Sequence, residues 1–278
     1  MPAANLSPRC TVIKAGHDSS LEHFTRLLTY KDLFRILVEK EIRVRYKQTL
    51  LGFSWAIIQP FVSVIVFSFI FGKIARLDSQ GTPYPLFNYL AMAPWTYFSS
   101  SFSGAATSLV GNAMIAKVYF PRALVPFAPV LANLVDLAIA FAFVLPFLWH
   151  YKVEAHAELL FLPLLIAILV LFTAGISLFA SALAIQFRDV KFAMPFLMQI
   201  MMYGAPVVFS AASVPAPILR YYSLYPMVGV IEGIRACFLP TVPMPWHLIG
   251  PSCWVSAAVF LAGFWFFHRR EHLFADMY

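Results

Sequence analysis

Long stretches of this sequence are apolar with no charge to interrupt them, and the short polar segments between them carry the Lys and Arg residues. A bilayer core of about 30 Å is crossed by about 20 helical residues at a rise of about 1.5 Å each. Six uncharged runs reach that length, at about residues 52–71, 86–110, 123–149, 159–187, 192–213 and 248–267, and together they hold a single acid, Asp136. The runs are continuously apolar, whereas strands of a membrane barrel alternate over about ten residues, so helices are expected. The pattern predicts an all-α polytopic membrane protein with about six transmembrane helices.

The polar segments have their own patterns. Residues 1–27 show no periodicity and read as an irregular tail. Residues 28–50 are rich in helix formers, with Arg35, Glu39 and Arg43 in a row at i, i+4 spacing and Leu33, Ile36, Leu37 and Val44 on the opposite arc. This predicts an N-terminal amphipathic interfacial helix, although Glu41 and Arg45 project near its apolar side. Between the second and third runs, Asn112 is a helix-capping type, residues 113–119 are compatible with a helix and Pro121 stops it, so a short helix over 112–120 competes with a plain connector. Residues 213–246 hold six of the twenty prolines. The apolar run at 227–239 inside that segment is too short to cross a bilayer, which predicts a re-entrant helical segment between the fifth and sixth spans. Glu232 and Arg235 fall three apart on one face of it and are expected to pair.

With 61% hydrophobic and 12% charged residues, the charged share is about half that of a soluble domain, so lipid must be the main solvent. Fifteen of the twenty Lys and Arg fall on the side of the two termini, which makes that side cytoplasmic by the positive-inside rule. The net charge of +7 then reflects topology and gives no reason to expect nucleic acid. No cleavable signal peptide is visible, so the first run reads as an anchor. Cys10, Cys237 and Cys253 have no metal or redox spacing, and no metal site is expected. Asp136 should face protein or water: it is a pore-facing acid, or a carboxyl hydrogen-bonded to a neighbour such as Gln59 or Asn133. Aromatic residues make up 17% of the chain, and Trp95, Tyr97 and Phe98 are candidates to line a path, against the ordinary interfacial belt. An integral-membrane glycosyl- or acyltransferase would need clustered acids, a His–acid pair or metal ligands. The sequence has no Asp-x-Asp and no His-Glu-x-x-His, and its seven histidines are scattered.

Five signatures follow one another in this chain: the amphipathic helix, Gly52-Phe53-Ser54-Trp55-Ala56-Ile57-Ile58-Gln59-Pro60, Lys117-Val118-Tyr119-Phe120-Pro121-Arg122, Phe187-Arg188-Asp189-Val190 and Glu232-Gly233-Ile234-Arg235. In this order they resemble the membrane subunit of ABC exporters of the type 2 permease family, in particular exporters of O-antigen and teichoic-acid-like polysaccharides. The resemblance spans about residues 28–270, with Tyr225-Pro226 where the family more often shows Asn-Pro. It implies a subunit that passes a lipid-linked polysaccharide through the bacterial inner membrane, as two copies of this chain with two copies of an ABC ATPase. It also implies that Arg35, Glu39 and Arg43 lie on a gate helix, and that Asn112, Lys117, Tyr119, Phe120, Pro121 and Arg122 form the coupling helix seated in the ATPase. ATP and Mg would belong to that partner. The only Gly-Lys pair here, Gly72-Lys73, precedes Ile74, so the chain lacks a phosphate-cradling loop of its own. An ABC permease for a lipid or drug is the rival within the same broad fold. The expected organisation is a tail at 1–27, the gate helix at 28–50, the permease domain at 51–270 and a cytoplasmic tail at 271–278.

Overall fold

The computed structural model describes residues 30–46, 55–111, 120–153, 156–187 and 189–271, and the regular elements among them are helical. Helix α1 (Lys31–Tyr46) opens with Asp32 and closes with Arg43 and Arg45, so each sign of charge lies at the helix pole that favours it. It packs chiefly along the helix Leu124–Ala142. One neighbour covers one stripe: Leu37 is buried, with Leu33, Phe34 and Val38 beside it, whereas Ile36 and Val44 are exposed. The apolar arc expected to include all of Leu33, Ile36, Leu37 and Val44 is therefore divided between a protein face and an open face.

Helix α2 (Trp55–Phe67) runs on as a π-helix over Ser68–Ile74. The chain then turns through Arg76, Gln80 and Gly81, all at positive φ, into α3 (Tyr84–Thr107). At 24 residues α3 is about 36 Å long. It is the hub of the packing, touching α2, α4, α6, α7 and α9. Enclosure by protein explains how it carries Asn88, Ser101 and three buried tyrosines without a wholly apolar surface. Helix α4 (Leu124–Ala142) returns beside it and breaks before α5 (Val144–His150), where the Pro146 ring would meet the carbonyl of Ala142. The Tyr89 hydroxyl donates to the Ala140 carbonyl in the frayed last turn of α4, at 3.0 Å, and Tyr97 donates to Val130 at 3.0 Å.

After a 3-10 turn at Ala157–Phe161 come α6 (Leu162–Gln186) and α7 (Val190–Gly204). Two short helices follow, α8 (Ala216–Tyr222) and α9 (Pro226–Phe238), and then α10 (Trp246–Arg270). By length and composition, the helical stretches Leu124–His150, Ala157–Gln186 and Trp246–Arg270 can cross a membrane. The run expected to form one helix over 192–213 does not: α7 ends at Gly204 and Ala205 turns to extended backbone. Irregular, non-helical chain in an apolar surrounding needs protein to satisfy its polar groups, and Arg235 on α9 does so here. Its guanidinium donates to Val207 at 2.9 Å, Phe209 at 3.1 Å and Phe87 at 3.3 Å, and lies 3.5 Å over the Phe87 ring. The expected partner is in place: Arg235 and Glu232 are 2.9 Å apart, and Glu232 also accepts from the Ala211 N–H at 2.7 Å. Every residue of α9 is buried in protein.

Glycines set the closest approaches. A Cβ at Gly175 of α6 would lie 2.6 Å from the Phe260 backbone of α10, and one at Gly263 would lie 2.2 Å from the Gly175 carbonyl oxygen. In lipid no hydrophobic force pushes helices together, so such backbone contact is a principal source of their association. Gly229 and Gly233 bring α9 equally close to Ser252 and Leu165.

Two outcomes are expected from this packing. Gly175→Leu and Gly263→Val should each destabilise the fold by at least about 1–3 kcal/mol through overpacking, while Gly250→Ala, with nothing within 4 Å of the added Cβ, should be neutral. Thermal unfolding in detergent, followed by size-exclusion recovery, checks the contrast. Arg235→Ala should leave three buried carbonyls and Glu232 unpaired, costing about 3–5 kcal/mol or more. Arg235→Lys should recover little of it, because one ammonium cannot reproduce the fork of donors. A double-mutant cycle with Glu232→Gln should show strong non-additivity.

Candidate functional site

Four chain segments meet at one end of the bundle, the end where Arg122, Arg269 and Arg270 collect. There α3 ends, α4 begins, and α6 and α10 finish side by side. The apolar contacts that join them are Leu109, Phe120, Leu124, Leu178, Phe264 and Phe267, and Leu37 of α1 completes the cluster. A segment leaving after Gly111, at φ +71, and returning at Phe120 is thus held at both ends by the same socket. Of the six residues expected in that segment, Asn112, Lys117 and Tyr119 lie outside the described residues. Phe120 and Pro121 are buried, and Arg122 is half-buried.

Arg122 is fixed by a residue the sequence reading placed at the start of a tail. Its backbone N–H donates to the Glu271 carboxylate at 2.8 Å, and its guanidinium donates to the Glu271 carbonyl at 2.8 Å. Arg270 donates to Gln186 of α6 and stacks over Phe266 at 4.4 Å. On the outside of α1, the expected row is present: Arg35 and Glu39 are 3.0 Å apart, and Arg43 and Glu39 are 3.3 Å apart. All three are exposed, so the row gives helix support of a few tenths of a kcal/mol. Its relevance is its position on the helix that covers the socket.

Asp136 lies twelve residues into α4, about 18 Å from its start, and its carboxylate is held by Arg45 and by the Tyr46 hydroxyl. Arg45 also donates to Asn133, whose own amide donates to the Pro129 carbonyl at 2.9 Å. Of the two neighbours expected for Asp136, Asn133 is close but serves Arg45, and the Gln59 side chain lies outside the described residues. The carboxylate faces protein, as a charge at that depth requires. These contacts also show that α1 runs inward along α4, since Leu37 sits near its start and Arg45 near its middle.

Trp95, Tyr97 and Phe98 are buried inside the chain, at 5%, 2% and 0% exposure. Phe98 stacks on Phe172 of α6, so these three form a wall between helices within the protomer. The open aromatic side chains are others, including Phe61 on α2, Phe69 on the π-helix that continues it, and Phe192, Phe196 and Tyr203 on α7. Glu232 and Arg235 sit at the opposite, distal end, enclosed. Among the described residues no group of three His, Cys, Asp or Glu side chains gathers as metal ligands. What the basic end presents is a mechanical arrangement: an apolar socket, a two-ended loop attachment and a charged helix lying across it.

Arg45, Tyr46 and Glu271 were not identified from the sequence. Arg45 left a signal in its position near the apolar side of an otherwise amphipathic helix. Glu271 left none, being one acid in a polar terminal segment.

Known proteins were compared with this chain. The O-antigen export system permease protein RfbA of Klebsiella pneumoniae is 26% identical over 248 residues, covering 88% of this chain and 95% of that protein. The protein of the same name from Myxococcus xanthus is 26% identical over 216 residues, 76% and 82% of the two chains. The polysialic acid transport protein KpsM of Escherichia coli is 24% identical over 206 residues, 72% and 79%. The profile of the ABC-2 type transporter family matches residues 32–239, from the second residue of α1 to the residue after α9. Since that match takes in both the charged first helix and the enclosed Glu232–Arg235 pair, the chain belongs to the ABC-2 type transporter family.

Proposed function

We propose that this chain is the transmembrane subunit of an ABC exporter that moves a lipid-linked, O-antigen-like polysaccharide from the cytoplasm to the outer side of a bacterial inner membrane. The observation that carries this reading is the near full-length similarity to permeases named for O-antigen export. In this reading the basic end faces the cytoplasm, α7 with its extended continuation serves as the fifth of six spans, and α9 is a re-entrant element on the outer side. Two copies work with two copies of an ABC ATPase, which binds ATP and Mg and supplies the energy that a chain without a phosphate-cradling loop cannot.

In this reading each part has a task. The coupling role falls to the segment 112–120, and the socket of Leu109, Phe120 and Leu37, from which it leaves and to which it returns, receives its displacement. Helix α1 is the gate: it lies over the socket and is tied to α4 through Arg45 and Asp136, so a shift at the socket alters its tilt. Because Trp95, Tyr97 and Phe98 are sealed inside the protomer, a path between two copies would be lined by the open aromatic faces of α2 and α7. Sugar C–H faces can slide over such rings without meeting a deep binding well.

Removing the chain from its native bacterium should leave lipid-linked polysaccharide on the inner face of the membrane and none at the cell surface. The chain alone, purified free of its partner, should hydrolyse no ATP. Normal surface polysaccharide in the deletion strain would sink the export reading. For the gate, Arg45→Asp and Asp136→Arg should each cut export about tenfold, while the double exchange should restore a large part of it, as expected for a coupled pair. Export assayed by surface polysaccharide staining, at equal membrane levels of each variant, reads this out.

A further inference from the structure

We infer that Glu271, beyond the residues covered by the family profile, is a positioning residue that fixes Phe120 to Arg122, where the chain re-enters the bundle, to the end of α10; this rests on the coupling role proposed above. The observations concern how the 112–120 segment re-enters the bundle. It leaves through Gly111 at the end of α3, and it returns at Phe120 to Arg122, ahead of α4. The returning strand has two kinds of hold. Phe120 is buried against the apolar ends of α6 and α10, and Arg122 is bound twice by Glu271 at the end of α10.

The two bonds are complementary. The carboxylate takes the Arg122 backbone N–H, two residues ahead of the first residue of α4, and it places a negative charge at the favourable pole of that helix. The Arg122 guanidinium in return takes the Glu271 carbonyl, which the finishing helix α10 leaves free. The His268 ring lies 3.7 Å from the second carboxylate oxygen, and the Glu271 side chain is 17% exposed, so the clamp is largely shielded from competing water. Helix α10 is in backbone contact with α6 through Gly175 and Gly263, and Arg270 joins Gln186 at the same level. A push that arrives at Phe120 to Arg122 is therefore delivered to the α6–α10 pair as well as to α4. Without the carboxylate, the returning strand is held on its polar side by the guanidinium alone, and part of the push is lost as local movement of the loop.

The test uses the full chain assembled with its partner ATPase in liposomes, and measures polymer exported per ATP hydrolysed for Glu271→Ala, Glu271→Gln, Arg122→Gln and the double variant Tyr119→Ala/Phe120→Ala. Glu271→Ala should insert, retain the ATPase and hydrolyse ATP, but export per ATP should fall by about fivefold or more. Glu271→Gln keeps an acceptor oxygen for the Arg122 N–H and should lie close to wild type. Arg122→Gln should fall between the two. Wild-type export per ATP in Glu271→Ala, with uncoupling in the double variant, would overturn the anchor and leave the coupling role standing. Wild-type ratios in both would overturn the coupling role and the anchor with it. If Glu271→Ala does not insert, Arg122→Gln decides: an unchanged ratio overturns the inference and a lowered one sustains it.

Discussion

Arg235 has no exposure to water, and the distal half of the molecule is arranged around its guanidinium. The irregular chain after Gly204 leaves carbonyl oxygens without helical partners, and each buried one left unpaired would cost about 1–3 kcal/mol. Among the side chains, arginine alone presents five donors in a planar fork, so one residue can serve Val207, Phe209 and Phe87 together. Burying its charge is expensive, and the cost is met by Glu232, which is itself satisfied by the Ala211 N–H, and by the face of Phe87. The end of α7, the start of α3 and the 205–211 chain are thereby fixed to α9. From α9 the order spreads through Gly229 to α10 and through Gly233 to α6.

The α6–α10 seam then carries that order to the other end. The two helices run side by side in the same direction, with their backbones in contact at Gly175 and Gly263 and Phe179 against Phe266 at 4.4 Å nearer the basic end. Helix α4 is joined to α3 differently, by tyrosine hydroxyls that reach its carbonyls. Movement of α4 against α3 must break those bonds or carry both helices together, whereas α1 has no comparable inner attachment beyond Arg45 and Tyr46.

What the sequence made legible follows from the range of each interaction. The apolar runs, the short enclosed helix and the i, i+3 spacing of Glu232 and Arg235 are local features, and local pattern reports them. The early end of α7 is not local: residues 205–213 are as apolar as a span, and the irregular path of 205–210 is held by an arginine more than twenty residues ahead. Asp136 was recognisable as a group that needed a partner, but its partner lies 91 positions away, and Arg45 showed itself only as a misplaced charge on α1. The aromatic residues of α3 gave no sign of which way they face, because burial between helices and exposure to a path favour the same residue types. Glu271 depends on a contact 149 positions distant, and nothing in its own neighbourhood announces it.

The two ends of the bundle differ in how their charges are held, and that difference says where shape can change. At the distal end Arg235 and Glu232 are 0% and 4% exposed, every alternative to their present contacts is dry, and breaking them would cost about 3–5 kcal/mol. On the side of the basic end, where α1 runs along α4 to its middle, Arg45 and Asp136 are 35% and 24% exposed, so their contact is less enclosed and the cost of separation is smaller. Regions that open at low cost are the ones that can serve as switches. The distal knot therefore acts as the fixed point, and the α6–α10 seam as the stiff member that joins it to the basic end. Helix α1 is the part able to shift against them. In the export reading this is the required polarity, since the energy enters from the partner at the basic end and the first element it can displace is the helix lying across the entrance.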